Sequence, residues 1–211
     1  MVYAHQVGTT TLENEMKMKI MINARENFDV EALAQMYRLR AQVFGERMGW
    51  EVAILSGMEV DGYDALSPHY MLVHDTQDVL CGCWRLMPTT GPYMLRDTFA
   101  QLLHDKQPPT SPDIWELSRF AIASPERGNF GFASLAIDAM REVVKFADQM
   151  AITRYVTVTT TAIERMLRTA GIETRRFGPP MRIGVENAVA LTIELGAQTR
   201  HALFEQVVEI A

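Results

Sequence analysis

The sequence contains few cysteines, no long apolar run and no excess of basic residues. Its two cysteines, Cys81 and Cys83, lie too close together to join distant parts of the chain, and no further cysteine or close histidine completes a zinc site. No apolar run reaches the roughly 18 residues that a membrane-spanning helix requires. The first residues, Met1–Thr11, lack the basic and apolar order of a secretory signal. We therefore expect a cytoplasmic protein with reduced thiols, no metal site and no stable membrane insertion.

Positive charge is also scarce. The chain carries 20 Lys and Arg against 26 Asp and Glu, a net charge of -6 that argues against a surface built to bind nucleic acid. The distribution is uneven: residues 1–150 carry 13 basic against 20 acidic side chains, whereas residues 151–211 carry 7 against 6. The total charge therefore conceals an acidic first part and a locally basic second part.

Hydrophobic periodicity predicts one domain over residues 19–211, preceded by a flexible arm over residues 1–18. Asp29 is typical of a helix N-cap, and apolar residues recur behind it at helical spacing until about Gly49. Further helices are predicted over residues 95–104, 131–150, 162–170 and 198–210. Strands are predicted over residues 19–22, 69–74, 79–87, 114–122, 154–160 and 173–177, with one or two more within residues 181–195. Residues 50–66 are predicted to form a long loop. This order predicts an α/β fold, a three-layer α/β/α sandwich with a mixed sheet.

One apolar strand carries two charges that demand an explanation. Glu116 and Arg119 lie in residues 114–122, and buried charges need partners. Side-chain alternation would put Glu116, Ser118 and Phe120 on one face and Leu117 and Arg119 on the other. If Glu116 and Arg119 face one site, a bulge must lie between them, and bulges often occur beside active sites. A backbone N–H freed there can stabilise charge on a carbonyl oxygen. A purely structural ion pair remains the alternative.

These two residues end an ordered set of polar and aromatic side chains. The set comprises Arg40, Phe44, Trp50, Asp61, Asp64, Arg85, Phe99, Glu116 and Arg119. In this order and spacing it resembles the acyl-homoserine-lactone synthases, the LuxI-type autoinducer synthases. Residues 39–44, 58–68, 90–95 and 114–122 are especially similar to the Pseudomonas branch of that family. Taken singly, Asp61-Gly62 is also a common turn pair, and Trp50 is also a plausible core residue.

The resemblance implies a fold, a reaction and site residues. The fold is like that of the GNAT superfamily of N-acetyltransferases. The reaction moves an acyl group from acyl carrier protein to the amine of S-adenosylmethionine, and lactonisation then releases methylthioadenosine. S-adenosylmethionine is a substrate, so no cofactor is implied. The implied catalytic set is Arg40, Asp61, Asp64, Arg85, Glu116 and Arg119, and the implied S-adenosylmethionine-binding set is Phe44, Trp50, Phe99 and Arg119.

The residue types suit this chemistry. Carboxylates and aromatic faces attract the cationic parts of S-adenosylmethionine, and an arginine pairs with its carboxylate. Its amine must lose a proton before it attacks, so a base is needed within reach or through a water molecule. Glu116 is the candidate base, held by Arg85 or Arg119. No side-chain nucleophile is needed, and the sequence has no Gly-x-Ser-x-Gly motif.

The acyl chain requires an apolar pocket. We assign Leu117, Ser118, Phe120, Met140, Tyr155, Thr157 and Thr159 to it. In the family, a Thr that matches Thr159 lies beside C3 of the acyl chain and accompanies 3-oxo substrates, to which a hydroxyl can donate. Thr is also simply a good strand residue. The expected product therefore carries a 3-oxo chain of medium to long length.

The donor site is assigned from two features. Residues 128–133 resemble the acetyltransferase turn that holds the coenzyme A pyrophosphate, but Gly128 stands where that turn has Gln or Arg. A weakened phosphate site suits acyl carrier protein, which would dock on Arg165, Arg168, Arg175, Arg176 and Arg182. The alternatives are an acyl-coenzyme A donor, a GNAT-type N-acyltransferase acting on another amine, and a non-catalytic module that binds an acylated signal.

Overall fold

The computed structural model of the chain describes residues 18–123 and 128–205, with the backbone alone for residues 128–132. The predicted arm, residues 1–18, therefore lies outside the described residues except for Met18, which packs against the core. The turn at residues 128–133 is described only as the backbone of a helix that begins at Gly128, apart from Ala133.

The strands and helices follow the predicted order, except that the predicted loop over residues 50–66 contains two short strands and a 3-10 turn. The strands are β1 (Lys19–Ala24), β2 (Ile54–Leu55), β3 (Met58–Glu59), β4 (His69–His74), β5 (Leu80–Pro88), β6 (Ile114–Ile122), β7 (Arg154–Thr160), β8 (Thr174–Arg176), β9 (Met181–Ile183) and β10 (Glu186–Glu194). The helices are α1 (Val30–Arg40), α2 (Met94–Asp97), α3 (Gly128–Met150), α4 (Thr161–Thr169) and α5 (Ala197–Phe204). Short 3-10 turns occupy Arg25–Asn27, Gly62–Ala65 and Ala100–Leu103.

The main sheet has the order β1-β4-β5-β6-β7-β10-β8, with β9 also paired to β10. Only β6 and β7 run parallel among these described pairs, so the sheet is mixed. A large apolar cluster joins one side of the sheet to α3, α4 and α5. Two smaller clusters involve α1 and the segment that contains α2. The three-layer α/β/α prediction is therefore confirmed.

The first helix begins as predicted and then widens. The Asp29 side chain accepts a hydrogen bond from Ala32 N at 2.7 Å and caps α1. Beyond Arg40 the helix continues as a π-helical turn, Ala41–Arg47, a rare form that occurs often at functional sites. This turn carries the buried Phe44. The helix predicted over residues 95–104 is wrong in detail, because α2 and a separate 3-10 turn occupy that segment.

The predicted bulge is present. On β5 and β6, Cys83 faces Ala121 and Arg85 faces Ser118, so two residues of β6 oppose the single Trp84. Arg119 has a φ of +57°, which is rare for a residue with a side chain. The same irregularity corrects the predicted face of Phe120. Its ring packs 4.5 Å from that of Trp84, on the α3 side of the sheet, opposite to the side of Glu116.

Strands β6 and β7 separate part of the way along the sheet. Their pairing runs from Ile114 and Arg154 to Leu117 and Thr157. Both strands continue beyond that point, β6 to Ile122 and β7 to Thr160. The bulge at Arg119 lies in the unpaired part of β6. The splayed strands leave a cavity beside the bulge.

Candidate active site

Three arginines and three carboxylates form a buried network beside this bulge. The arginines are Arg40, Arg85 and Arg119, and the acids are Glu59, Asp61 and Asp64. Four of the six side chains are almost wholly buried. Asp61 and Arg119 remain accessible, with side chains 16% and 10% exposed. These two opposite charges are the part of the network that a small molecule can reach.

Asp64 is the centre of the network. Its carboxylate accepts bonds from Arg40 Nη1 and Nη2 at 2.8 and 2.9 Å, from Arg85 Nη1 at 2.9 Å and from the Tyr70 hydroxyl at 2.6 Å. Burial opposes ionisation, but the hydrogen bonds and charge of Arg40, together with the charge of Arg85, hold the pKa of Asp64 well below its usual range. Asp64 is therefore an anion at neutral pH and pairs with both arginines.

The chain between β3 and β4 is shaped to present both aspartates. Asp61 accepts hydrogen bonds from Tyr63 N and Asp64 N, and Asp64 accepts one from Asp61 N, which completes a capping box around a 3-10 turn. Arg85 Nη1 and Nη2 donate hydrogen bonds of 2.6 and 3.0 Å to the two carboxylate oxygens of Asp61. The Asp61-Gly62 pair is thus a turn and a site element at once.

Glu59 belongs to the network, and sequence reasoning missed it. Its carboxylate pairs with Arg40 Nε and accepts bonds from Arg119 Nε and Nη2 at 3.1 and 2.9 Å. A single glutamate in an apolar, aperiodic segment gives no signal of burial. The signal that was available is its spacing, two residues before Asp61 and beside the same turn.

The aromatic pair lies against the accessible edge of the network. Phe44 and Trp50 stack with ring centroids 5.3 Å apart and planes 16° from parallel. The Arg119 guanidinium lies 5.5 Å from the centre of the Phe44 ring. Phe99 lies elsewhere: it packs against the cluster of Leu102 and Leu103, so the structure does not bring it to the aromatic pair.

Glu116 is buried, but neither arginine holds it by an ion pair, which corrects the prediction. Its two carboxylate oxygens accept bonds from Met94 N at 2.9 Å and Leu95 N at 2.6 Å, at the start of α2. Burial raises the pKa of Glu116, and the two N–H groups and the charge of Arg85 offset this only in part. A hydrogen bond from Ser118 to Glu116 also lowers this pKa. The Ser118 hydroxyl in turn accepts a hydrogen bond from Arg85 Nε at 3.1 Å.

The cavity between the splayed strands contains six of the seven predicted acyl-pocket residues. They are Leu117, Ser118, Phe120, Met140, Thr157 and Thr159, and Arg119 also borders it. Tyr155 is not among the lining residues; its hydroxyl donates to Val143 O of α3 at 2.8 Å. The alternation of β7 predicted the correct face of the sheet for Tyr155, but its assignment to the acyl pocket is wrong. The cavity therefore adjoins the ion network at Ser118 and Arg119.

The five arginines assigned to docking differ in their pairing. Arg176 forms a two-pronged ion pair with the buried Glu164, and Arg175 pairs with Glu173 at 2.7 Å. Arg182 donates to Gly184 O. Arg165 and Arg168 are exposed on α4 and pair with no acid in the part of the chain that the structure describes. A groove runs between these two, Arg176 and Glu164.

Across residues 18–123 and 128–205, no group of three His, Cys, Asp or Glu side chains is placed to hold a metal ion. No helix in the described part of the chain is both long and apolar enough to cross a bilayer.

Comparison with known proteins assigns the family. Residues 23–203 match the model of the autoinducer synthase family. An acyl-homoserine-lactone synthase of Pseudomonas aeruginosa is 52% identical over 189 residues, which are 89% of this chain and 94% of that protein. The crystal structure of the synthase LasI superposes with a TM-score of 0.85 at 51% identity, over 91% of this chain and 97% of that one.

More distant structures confirm the fold. The CoA-dependent synthase BjaI, solved with SAM and isopentyl-CoA, gives a TM-score of 0.77 at 28% identity over 89% of each chain. A structure assigned as an N-acetyltransferase from Lactobacillus plantarum gives 0.57 at 17% identity, which shows the fold alone. The GNAT-like prediction is therefore confirmed. The chain belongs to the autoinducer synthase family, as an acyltransferase of the acyl-homoserine-lactone synthase type.

Proposed function

We propose that the protein transfers an acyl chain from acyl carrier protein to the amine of S-adenosylmethionine. The amine nitrogen attacks the thioester carbonyl, and the C–S bond breaks to release the carrier thiol. The carboxylate of the acylated product then displaces methylthioadenosine and closes the lactone. The observation that carries this proposal is the junction at Ser118 and Arg119, where a charged site for a zwitterion adjoins an apolar cavity.

The accessible ions suit the amino-acid end of S-adenosylmethionine. Its carboxylate would pair with Arg119 and its ammonium with Asp61, since these are the exposed members of the network. Phe44 and Trp50 would lie against the sulfonium and exclude water. Arg40 and Asp64, which are buried, act as positioning residues. Binding of SAM by BjaI supports this assignment.

Glu116 is proposed as the base that takes the amine proton through a water molecule. Two backbone N–H groups and the Ser118 hydroxyl bind the carboxylate, which still leaves a lone-pair site for a water molecule. Its raised pKa makes it a stronger base than an exposed glutamate. The hydrogen bond from Ser118 and the charge of Arg85 both favour the ionised carboxylate.

The cavity is proposed to hold a 3-oxoacyl chain. Its wall includes Met140 and Met166, whose flexible side chains can yield to an acyl chain, and its free volume of about 40 Å³ requires such movement. Thr159 lines it and has no hydrogen-bond partner among the described side chains. Its hydroxyl is therefore available to the oxygen at C3.

The carrier protein is proposed to dock on α4. Arg165 and Arg168 are exposed and unneutralised there, and the opposite side of the same helix contributes Ile163, Met166 and Leu167 to the cavity. One short helix thus separates a basic groove from the acyl pocket. Acyl-coenzyme A is the second candidate donor, because BjaI is CoA-dependent. We also propose a cytoplasmic location, since Cys81 and Cys83 are free thiols.

The test is expression of the full chain in a bacterial host that makes no lactones, with mass spectrometry of culture extracts. A 3-oxoacyl-homoserine lactone is expected, and its mass gives the chain length. An Asp61→Asn variant serves as the matched negative control. Extracts without any acyl-homoserine lactone, from cells that contain the folded protein, would refute the proposal.

A further inference from the structure

The Trp84 indole N–H is a buried donor without an acceptor. Trp84 is 7% exposed, and its Nε1 has no hydrogen-bond partner among the described residues. Most buried polar groups in folded proteins are paired, so an unpaired donor calls for an explanation. By contrast, the indole N–H of Trp115, on the neighbouring strand β6, is paired: it donates to Pro112 O at 3.2 Å.

The position of Trp84 links this donor to the acyl cavity. Trp84 is the residue of β5 that faces the bulge at Arg119 and Phe120, and its side chain lines the cavity. The Phe120 ring lies 4.5 Å away at an angle of 44° and fixes the orientation of the indole. A donor held in this way is pre-organised for a ligand.

The other polar groups of the wall are mostly engaged. Ser118 Oγ accepts from Arg85 Nε, and Thr157 Oγ1 makes a long bond of 3.5 Å to Val158 O. Trp84 Nε1 is buried without a partner among the described residues, whereas Thr159 is a partly exposed residue of the wall. The two residues line the cavity from different strands, Thr159 from β7 and Trp84 from β5. A plain hydrocarbon chain would leave the Trp84 N–H unpaired.

We propose that Trp84 determines acyl specificity by donating its indole N–H to the oxygen at C3 of the acyl chain. The inference rests on the proposed function and deepens it. A carbonyl oxygen accepts two hydrogen bonds, so Thr159 and Trp84 bind it from two sides. If the thioester C1 is placed at the bulge, which Trp84 faces, C3 enters the cavity that Trp84 lines. A site with such a donor rejects the chain that lacks an acceptor.

The first test compares donors of equal chain length with and without the 3-oxo group. Trp84→Phe keeps the ring and removes the donor, and it lowers the ratio of kcat/KM for the 3-oxo over the unsubstituted donor about tenfold. Trp115→Phe, which removes a paired N–H outside the cavity, leaves the ratio unchanged. An unchanged ratio in folded Trp84→Phe overturns the inference. Failure of the proposed function looks different, because the wild type then turns over neither donor.

The second test is measured on the wild type and needs no variant of Trp84. The chain has three tryptophans, so ¹⁵N-indole labelling gives three N–H resonances, and Trp50→Phe and Trp115→Phe assign that of Trp84 by elimination. The wild type is titrated with pantetheine thioesters in the absence of S-adenosylmethionine. The 3-oxo thioester is expected to shift the Trp84 resonance downfield and the unsubstituted one is not. Equal shifts with both thioesters would refute the role.

Discussion

The Ser118 hydroxyl accepts a hydrogen bond from Arg85 Nε at 3.1 Å, and this contact joins the buried ion network to the acyl cavity. Arg85 holds Asp61 and Asp64 on one side, and Ser118 borders Glu116 and the cavity on the other. The charged and apolar halves of the site are therefore set by adjacent residues of two paired strands, β5 and β6.

Removal of one partner from the ion network should destabilise the protein strongly. Asp64→Asn leaves Arg40 buried without its two-pronged partner, and we expect the free energy of unfolding at pH 7 to fall by about 3–5 kcal/mol. Urea denaturation measures it. Glu31→Gln, which breaks the exposed pair with Arg38, should change it by less than about 1 kcal/mol. A small effect of Asp64→Asn would contradict the central position of this carboxylate.

The same variant should show a pH signature. The pKa of Asp64 is lowered in the folded state, so its stabilising effect is present above the unfolded value of about 3.9 and is lost as pH falls towards the folded value. The stability difference between wild type and Asp64→Asn should therefore shrink as pH falls from roughly 5 to 3. A difference that stays constant over this range would rule out ionised Asp64 as the cause.

The base assignment predicts a pH-dependent rate. Because burial raises the pKa of Glu116, kcat should fall on acidification with a midpoint above the ordinary value of about 4.3. Glu116→Gln should lower kcat by roughly 10²- to 10⁴-fold with little change in KM for S-adenosylmethionine. Asp97→Asn controls for disturbance of α2, since Asp97 accepts a bond from Tyr93 N there. Near-normal acyl transfer by folded Glu116→Gln would exclude the base role.

The aromatic stack should act on binding of S-adenosylmethionine. Trp50→Ala removes one face of the stack, and we expect KM for this substrate to rise about tenfold, the effect of losing a cation–π contact and its apolar cover. Trp50→Phe retains a ring and should have a smaller effect. The KM for the acyl donor should not change. A change in the KM for the acyl donor alone would contradict the role of Trp50 in binding S-adenosylmethionine.

The basic groove should make the reaction salt-sensitive. Replacement of Arg165 and Arg168 by Gln should raise KM for acyl carrier protein several-fold at low salt and flatten its dependence on ionic strength. Arg38→Gln, an exposed change on α1, is the matched control. Salt-independent KM in the wild type would argue against electrostatic docking on α4.

Thr159 should influence which product forms. Thr159→Val removes the hydroxyl at nearly constant shape, and we expect a smaller share of 3-oxo product when both donor types are supplied. Thr192→Val on β10 changes a threonine outside the cavity and should leave the product mixture as it is. Mass spectrometry of the products measures both, and an unaltered mixture for Thr159→Val would remove it from C3 recognition.

The sequence predicted the fold and most of the site because the relevant signals are local. The Asp29 cap and the alternation of β7 each follow from neighbouring residues. The bulge was predictable from Glu116 and Arg119 alone. It nevertheless reversed the face assigned to Phe120, because the alternation of side chains between the two faces of a strand shifts by one residue at a bulge.

The remaining features depend on contacts between distant segments. Glu59 is defined by Arg40 and Arg119, which lie 19 and 60 residues away. The partners of Glu116 are backbone N–H groups, which carry no signal in residue identity. The depth of Tyr155 likewise follows from the packing of α3.

The most direct test of the central claim is turnover by the purified chain with S-adenosylmethionine and one acyl group supplied on carrier protein or on coenzyme A. The proposed function predicts one methylthioadenosine for each lactone formed and a higher kcat/KM with the carrier protein. A higher kcat/KM with coenzyme A would overturn the donor assignment. Absence of lactone with both donors, from folded protein, would contradict the account as a whole.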